Sequence, residues 1–322
     1  MNPPQSSHGK PQLLFIIGPT ACGKSDLAVE ISEGGPRPQA ELLNSDSVQF
    51  FEGVEIGSAK PGPDLLQRAP HHLLGHKAVG SQYTAAEFRS DALAVMRHRS
   101  AQGVAHFISV GGSGFYVQAL EKGMYEVPEI PLAIREELNF ESEQAGGFSK
   151  LYLELSHRDP EAAGKIKPQD RYRILRALEV LRAHKDDLTL TQIRAQFEHK
   201  LKPEAEFTAQ KVGLFRERDV LCKAITQRTR NMLKRGLIDE VSKLRAQGLG
   251  TWAPLKSVGY REVQGFLDGL IRLEDLEQVI VTRTMQLAKR QMTWFKRDPE
   301  ITWFDADAGW HRALLRAKEA WS

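Results

Sequence analysis

The segment Gly18-Pro19-Thr20-Ala21-Cys22-Gly23-Lys24-Ser25 sets two glycines, a lysine and a hydroxyl at the spacing G-x-x-x-x-G-K-[ST]. Glycines let successive backbone N–H groups turn inward as an anion nest, and a helix beginning at the lysine adds its positive end. Lys24 offers a point charge to phosphate oxygens, and the Ser25 hydroxyl is a candidate Mg²⁺ ligand. The motif predicts a grip on a nucleotide or another diphosphate and leaves open what that diphosphate carries.

Three further positions carry chemistry. Asn44-Ser45-Asp46-Ser47 follows an apolar run, so Asp46 is placed near the phosphates as a Mg²⁺ ligand, as a general base, or simply as a cap of the next turn. Gly111-Gly112-Ser113-Gly114 allows close backbone approach and puts a second hydroxyl, Ser113, near the same edge, although in isolation the segment reads first as a plain strand-to-helix turn. Arg228 falls on the stripe formed by Leu221, Ala224, Ile225 and Met232. A guanidinium there needs a partner, which is a bound phosphate, an internal carboxylate or an escape to the surface. Arg171, Arg173, Arg176 and Arg182, preceded by Lys165 and Lys167, form a basic segment in which Arg173 and Arg176 share a helical face suited to RNA phosphates or to solvent. His71 and His72 fit no metal spacing and read as surface or capping residues in a loop.

Elements must hold these groups. Leu13–Ile17, Ala40–Asn44 and Ala105–Val110 read as buried parallel strands, with Lys211–Phe215 and Ile301–Phe304 as further candidates. A helix is predicted from Asp26 to Ser32. Another opens at Thr84-Ala-Ala-Glu87 with a capping-box spacing and aligns Phe88, Ala92, Val95 and Met96. Helices are also predicted over Asp170–Ala183, over Arg218–Arg235 before Gly236, and over Val279–Phe295. Alternating strands and helices predict an α/β fold with a P-loop NTPase-like parallel sheet. The strand-poor stretch predicts an inserted helical domain at 130–203, splitting a core made of 1–129 and 204–322.

The composition agrees with an ordinary globular chain: 322 residues, 41% hydrophobic and 26% charged. No apolar run reaches the length of a membrane span, and the first ten residues lack the apolar core of a secretory signal. Two cysteines exclude a disulfide framework and a cysteine-based zinc site. A cytoplasmic enzyme, monomeric by default, is the expectation. The net charge of +3 is uneven: residues 1–160 hold 13 basic against 19 acidic side chains, and 161–322 hold 31 against 22. A polyanion lying across the second half would suit that asymmetry, as would solvated helices.

Taken together the motifs resemble the tRNA dimethylallyltransferase (isopentenyltransferase) family, of bacterial type, from about Leu14 to about Asp305. The matching blocks are the Gly18–Ser25 loop, Asn44–Gln49, Gly57-Ser-Ala-Lys60-Pro61, Pro70–His72, Tyr83–Phe88, Val110–Tyr116, Asp170–Val180, Gly236-Leu237, Ser257–Glu262 and Ala288-Lys-Arg-Gln291-Met-Thr-Trp-Phe295. The resemblance implies transfer of a dimethylallyl group from dimethylallyl diphosphate to the N6 amine of the adenosine 3′ of the anticodon. The tRNAs concerned read codons beginning with U, and Mg²⁺ assists departure of diphosphate. It further implies that Asp46 is the general base, that Ser113 and Arg228 lie near the transferred group and the diphosphate, and that the Gly18–Ser25 loop holds the latter. The anticodon arm would be contacted by Asp46, Ser47, Val48 and Gln49, by Ser113 and Arg135, by Tyr172, Arg173, Ile174, Leu175 and Arg176, and by Lys256, Ser257, Val258, Gly259, Tyr260 and Arg261. In the family, core and helical insertion clamp that arm between them. The chain departs from the family at Ser113, where Thr is usual, at Ala224, commonly basic, and near Leu287, where an aromatic is frequent. With only two cysteines, a compact member without the zinc finger that eukaryotic members append is the expectation. Two other readings of the loop are a P-loop small-molecule kinase and an RNA-binding NTPase switch, neither of which accounts for the later blocks.

Overall fold

The computed structural model describes residues 10–35, 39–123, 130–184, 188–193, 195, 206–319 and 321. Six strands, β1 (Gln12–Ile17), β2 (Glu41–Asn44), β3 (His71–His72), β4 (His106–Gly111), β5 (Thr208–Phe215) and β6 (Thr302–Asp305), form one sheet in the order β3-β2-β4-β1-β5-β6. Every pairing is parallel. The unbroken apolar run of β1 follows from burial on both faces. Leu13, Phe15 and Ile17 enter one core with Phe50, Phe88 and Phe107, while Leu14 and Ile16 enter another with Val29, Ile31 and Leu214.

The predicted strands lie within a few residues of their observed bounds, and the Thr84 capping box is formed on both sides. Two differences have physical causes. The helix predicted from Val279 begins at Leu273, because Glu274 and Asp275 suit the first turn and Leu276 already reaches the core. The pair His71-His72, read as loop, is an edge strand that pairs with Leu42 and Leu43. No apolar signal announces it, because His72 serves a charge instead.

That charge is Glu41, which is 2% exposed. It accepts from His72 Nε2 at 2.8 Å and from Arg99 Nε at 2.8 Å. Burial alone would raise its carboxyl, but the bonds from Arg99 and His72 prevail and hold it below the usual carboxylate range. A carboxyl depressed in the folded chain contributes stability above its unfolded pKa and loses it as acid protonates the folded form. Glu41→Gln should therefore cost about 1–3 kcal/mol at pH 7. In urea melts the gap to wild type should close as the pH falls below the usual carboxylate range; a gap independent of pH would disprove the linkage.

Lys211 on β5 is a second buried charge. Its ammonium donates to Asp298 at 2.6 Å and to Glu300 at 2.8 Å and pairs with Glu121. Burial opposes its charge, yet these carboxylates prevail and raise its pKa. The three acids are close enough to one another to hold a cation, and the lysine occupies that role.

The chain divides into two compact units, Met1–Glu121 with Ala205–Ser322, and Lys122–Glu204. In the second, the helices Leu132–Glu143, Gly147–Arg158, Pro160–Lys165 and Arg171–Ala183 enclose Leu138, Leu151, Leu155, Ile174, Leu178 and Leu181. Arg182 is consumed inside this unit, bidentate on Glu141 at 2.8 and 2.9 Å and bound to Glu154 at 2.6 Å. By sequence, 122–204 holds 14 basic and 15 acidic side chains, whereas 205–322 holds 21 and 15. The positive excess of the second half therefore belongs to the unit carrying the sheet, not to the inserted helices. Among the described residues, no helix is long and apolar enough to cross a membrane.

Candidate active site

The loop after β1 turns where only small residues fit. A Cβ on Gly18 would lie 2.2 Å from the Leu214 carbonyl oxygen, and Gly18 has φ +139°. Gly23, at φ +78°, precedes the helix Lys24–Gly34, which begins at the motif lysine. Ala21 also has a left-handed backbone, φ +62°. Arg216 Nη1 donates to its carbonyl at 3.0 Å and Arg216 pairs with Asp307 at 3.2 Å, fixing this strained turn from outside. Cys22 is buried beneath the loop, and burial pushes its thiol up.

Lys24 Nζ donates to the Pro19 carbonyl at 2.7 Å. Burial lowers the Lys24 pKa to about 8; the Arg228 charge lowers it too, while Cys22 and Asp46 oppose. A bound diphosphate would supply the counter-charge this ammonium lacks.

At the end of β2, Asn44 Oδ1 accepts from Asp46 N–H at 3.1 Å, and Asp46 Oδ1 accepts from Val48 N–H at 3.0 Å. Asp46 thus caps its turn with one oxygen; its other oxygen makes no hydrogen bond among the described residues. Ser113 Oγ accepts from Ser47 N–H at 3.1 Å, and its hydroxyl donates to Ser47 Oγ at 3.2 Å. Ser113 therefore braces Ser47, the neighbour of Asp46, and is not among the residues lining the two cavities described next.

Two adjoining cavities open at these strand ends. One is mainly polar and lined by Thr20, Lys24, Ser25, Asn44, Asp46, Gln49, His71 and Arg228. The other is walled mainly by apolar groups, Ile225, Met232, Val258, Ile280 and Leu287, with Ser58, Thr229, Ser257 and Thr284 among them. They share Thr20, Asp46, Arg228 and Gln291. Arg228 has no ion pair or hydrogen bond among the described residues. Burial lowers its pKa, and the Asp46 charge opposes this. The internal carboxylate partner that sequence allowed is thus absent, which leaves the guanidinium directed to the space between the cavities.

His71 has the local capping role expected of it, bonding the C-cap residue of the helix Pro63–Arg68, but it is half-buried. Its Nδ1 bonds the Ala69 carbonyl at 2.8 Å, and its Nε2 is buried without a partner. Burial, with His72 beside it, lowers its pKa. In the neutral ring Nδ1 must donate to the carbonyl, which leaves Nε2 an unpartnered lone pair on a residue that lines the polar cavity.

Sequence reasoning gave no role to Gln291 or Glu240. Gln291 bridges the phosphate loop and the Gly111-Gly112 turn. Glu240 accepts the N–H groups of Glu55, Ile56 and Gly57 at 2.9, 2.8 and 3.0 Å, and the Tyr260 hydroxyl at 2.8 Å. It fills a backbone anion nest and so fixes the Gly57–Pro61 loop against the cavities. The Tyr260 ring leaves room only for glycine at 57, where a Cβ would approach it to 2.5 Å. Both residues lie in or beside the blocks quoted above, but spacing gave no hint of a backbone partner.

The remaining candidates divide by burial. Val48, Ser257, Val258 and Gly259 line the apolar cavity, and Lys256 and Arg261 are exposed. Tyr260 and Ile174 are fully buried, so a partner could meet those two positions only through neighbouring groups. In the helical unit Tyr172 is 78% exposed. Arg173 pairs with Asp170, Arg176 with Glu179 at 2.6 Å, and Arg135 with Glu179 at 3.8 Å. Leu175 is half-buried.

The profile of a family described as IPP transferase matches residues 49–298. A tRNA dimethylallyltransferase of Bdellovibrio bacteriovorus is 41% identical over 300 residues, 93% of this chain and 95% of that protein. A tRNA dimethylallyltransferase 2 of Geotalea uraniireducens is 39% identical over 297 residues, 92% of this chain and 93% of that one. Among solved structures, a tRNA isopentenylpyrophosphate transferase from Bacillus halodurans superposes with a TM-score of 0.65 at 29% identity, covering 96% of this chain and 99% of that one.

Proposed function

Since the chain belongs to the IPP transferase family of tRNA-modifying enzymes, we propose that it moves a dimethylallyl group from dimethylallyl diphosphate to the N6 amine of an adenosine in tRNA. The adenosine in this reading is the one 3′ of the anticodon, in tRNAs that read codons beginning with U. The observation that carries the proposal is the pair of adjoining cavities, one polar and one apolar, which meet at Asp46 and Arg228.

A diphosphate suits the polar cavity, where the backbone nest, Lys24 and Arg228 meet its charge. The apolar cavity suits what phosphate chemistry leaves over, a hydrocarbon chain or the face of an unstacked base. As the allylic C–O bond breaks, negative charge grows on the departing diphosphate, and preorganised cations stabilise that growth. As the C–N bond forms, the amine must lose a proton, and the free carboxylate oxygen of Asp46 accepts it. The Ser25 hydroxyl, at the cavity wall beside Lys24, fits a Mg²⁺ ligand; bound there, the ion supplies further positive charge to the diphosphate.

The test is incubation with Mg²⁺, dimethylallyl diphosphate and unmodified tRNA bearing adenosine 3′ of its anticodon, followed by mass spectrometry of the nucleosides. A dimethylallyl increment on adenosine that requires the donor is expected. ATP hydrolysis without any increment would move the protein to the kinase or NTPase reading.

For Arg173 and Arg176 the reading predicts contacts with tRNA phosphates. Both are paired with neighbouring carboxylates, but exposed pairs of this kind hold by only about 0.2–1 kcal/mol and yield readily to a phosphate. Replacing both with alanine should weaken tRNA binding and lower the slope of log K against log salt by about 2 contacts' worth. An unchanged slope would return them to ordinary surface.

A further inference from the structure

Gln291 lies on the helix Leu273–Phe295, between the buried residues Ala288 and Phe295. Its Oε1 accepts from Thr20 N–H at 3.0 Å, and its Nε2 donates to the Gly112 carbonyl at 3.0 Å. Thr20 belongs to the phosphate loop, and Gly112 precedes Ser113, whose hydroxyl takes the N–H of Ser47, next to Asp46. A continuous line of hydrogen bonds and short backbone steps thus runs from the cradle to the carboxylate. The line has little slack, since a Cβ on Gly112 would stand 2.5 Å from Gln291 Nε2.

Transfer of an allyl group requires the leaving oxygen and the entering nitrogen to lie on opposite sides of one carbon. The separation between cradle and base is therefore a quantity the protein must fix. Resting on the prenyl-transfer reading, we propose that Gln291 is the positioning residue that sets this separation by joining the phosphate loop to the Ser113 turn. Because its amide already occupies Thr20 N–H, that donor is withheld from the anion nest. Gln291 governs alignment and adds nothing to diphosphate affinity.

Gln291→Met keeps the length of the side chain and loses both bonds; Gln291→Asn keeps the amide but is too short to span the gap. Each is compared with wild type in kcat and KM for dimethylallyl diphosphate, in calorimetric affinity for inorganic pyrophosphate, and in thermal melting. The expected result is a fall in kcat of about 100-fold with pyrophosphate affinity unchanged or tighter. If Gln291→Met fails to fold, Gln291→Asn carries the same expectation. Wild-type kcat in a folded variant would overturn the proposal. So would a parallel loss of pyrophosphate affinity, which would make Gln291 a binding group. A wild-type protein that binds pyrophosphate but prenylates no tRNA would instead sink the reading beneath it.

Discussion

Asp46→Asn should reduce kcat for prenyl transfer by about 10²–10⁴ while tRNA and pyrophosphate bind as before. Asparagine is the informative replacement because Asp46 has two tasks. Its Oδ1 receives the Val48 N–H and caps the turn, a task the amide oxygen of asparagine can keep. Its other oxygen lies free at the cavities, and there asparagine can accept no proton. Asp46→Ala removes both, so the difference between the two variants measures the cap. A further fall in melting temperature of the alanine variant is the expected difference, worth about 1 kcal/mol. Near-normal turnover in Asp46→Asn would remove the base and leave only the cap.

Arg228→Met should act on two properties in opposite directions. Arg228 shares its helix with the buried residues Leu221, Ile225, Thr229 and Met232, and burial already lowers its pKa. With no carboxylate in contact, only the nearby Asp46 charge offsets its desolvation until a diphosphate arrives. Loss of the charge should therefore cost transfer about 10²–10³ in kcat. Methionine retains much of the hydrocarbon stem, so the ligand-free protein should melt higher than wild type, as when a strained functional group is removed. Pyrophosphate should then raise the melting temperature of wild type more than that of the variant. Lower melting of the variant without pyrophosphate would mean that Arg228 has a structural partner after all.

The site was legible where chemistry is written in consecutive residues. Gly18–Ser25 announces its nest because the conformation and the charge reside in neighbouring positions. Asp46 and Ser113 announce themselves as polar groups just past apolar strands. Arg228 stood out because its stripe is otherwise apolar. What stayed hidden depends on partners far along the chain. Gln291 meets Thr20 and Gly112 across most of the sequence, and Glu240 meets three backbone N–H groups that no side-chain pattern reveals. The strand at His71-His72 is invisible in the sequence because two residues carry no periodicity, and the buried Nε2 of His71 is a matter of packing. The charge of the second half was read from composition without the pairing inside the helical unit, where Arg182 is matched by two glutamates.

The order of the strands also bears on how the protein reaches its native state. β1 lies between β4 and β5, and Gln12 pairs with Thr208, so the central ladder cannot close until the whole helical unit has left the ribosome. Contacts within that unit span short stretches of chain, a topology that folds fast, whereas the ladder must first close a long loop. The later segment is thus expected to fold before the earlier one. In refolding followed by pulsed hydrogen exchange, amides of Arg171–Ala183 should gain protection ahead of those of Gln12–Ile17. Until that ladder forms, β1 presents a bare apolar edge, which makes the nascent N-terminal half the stretch most exposed to aggregation.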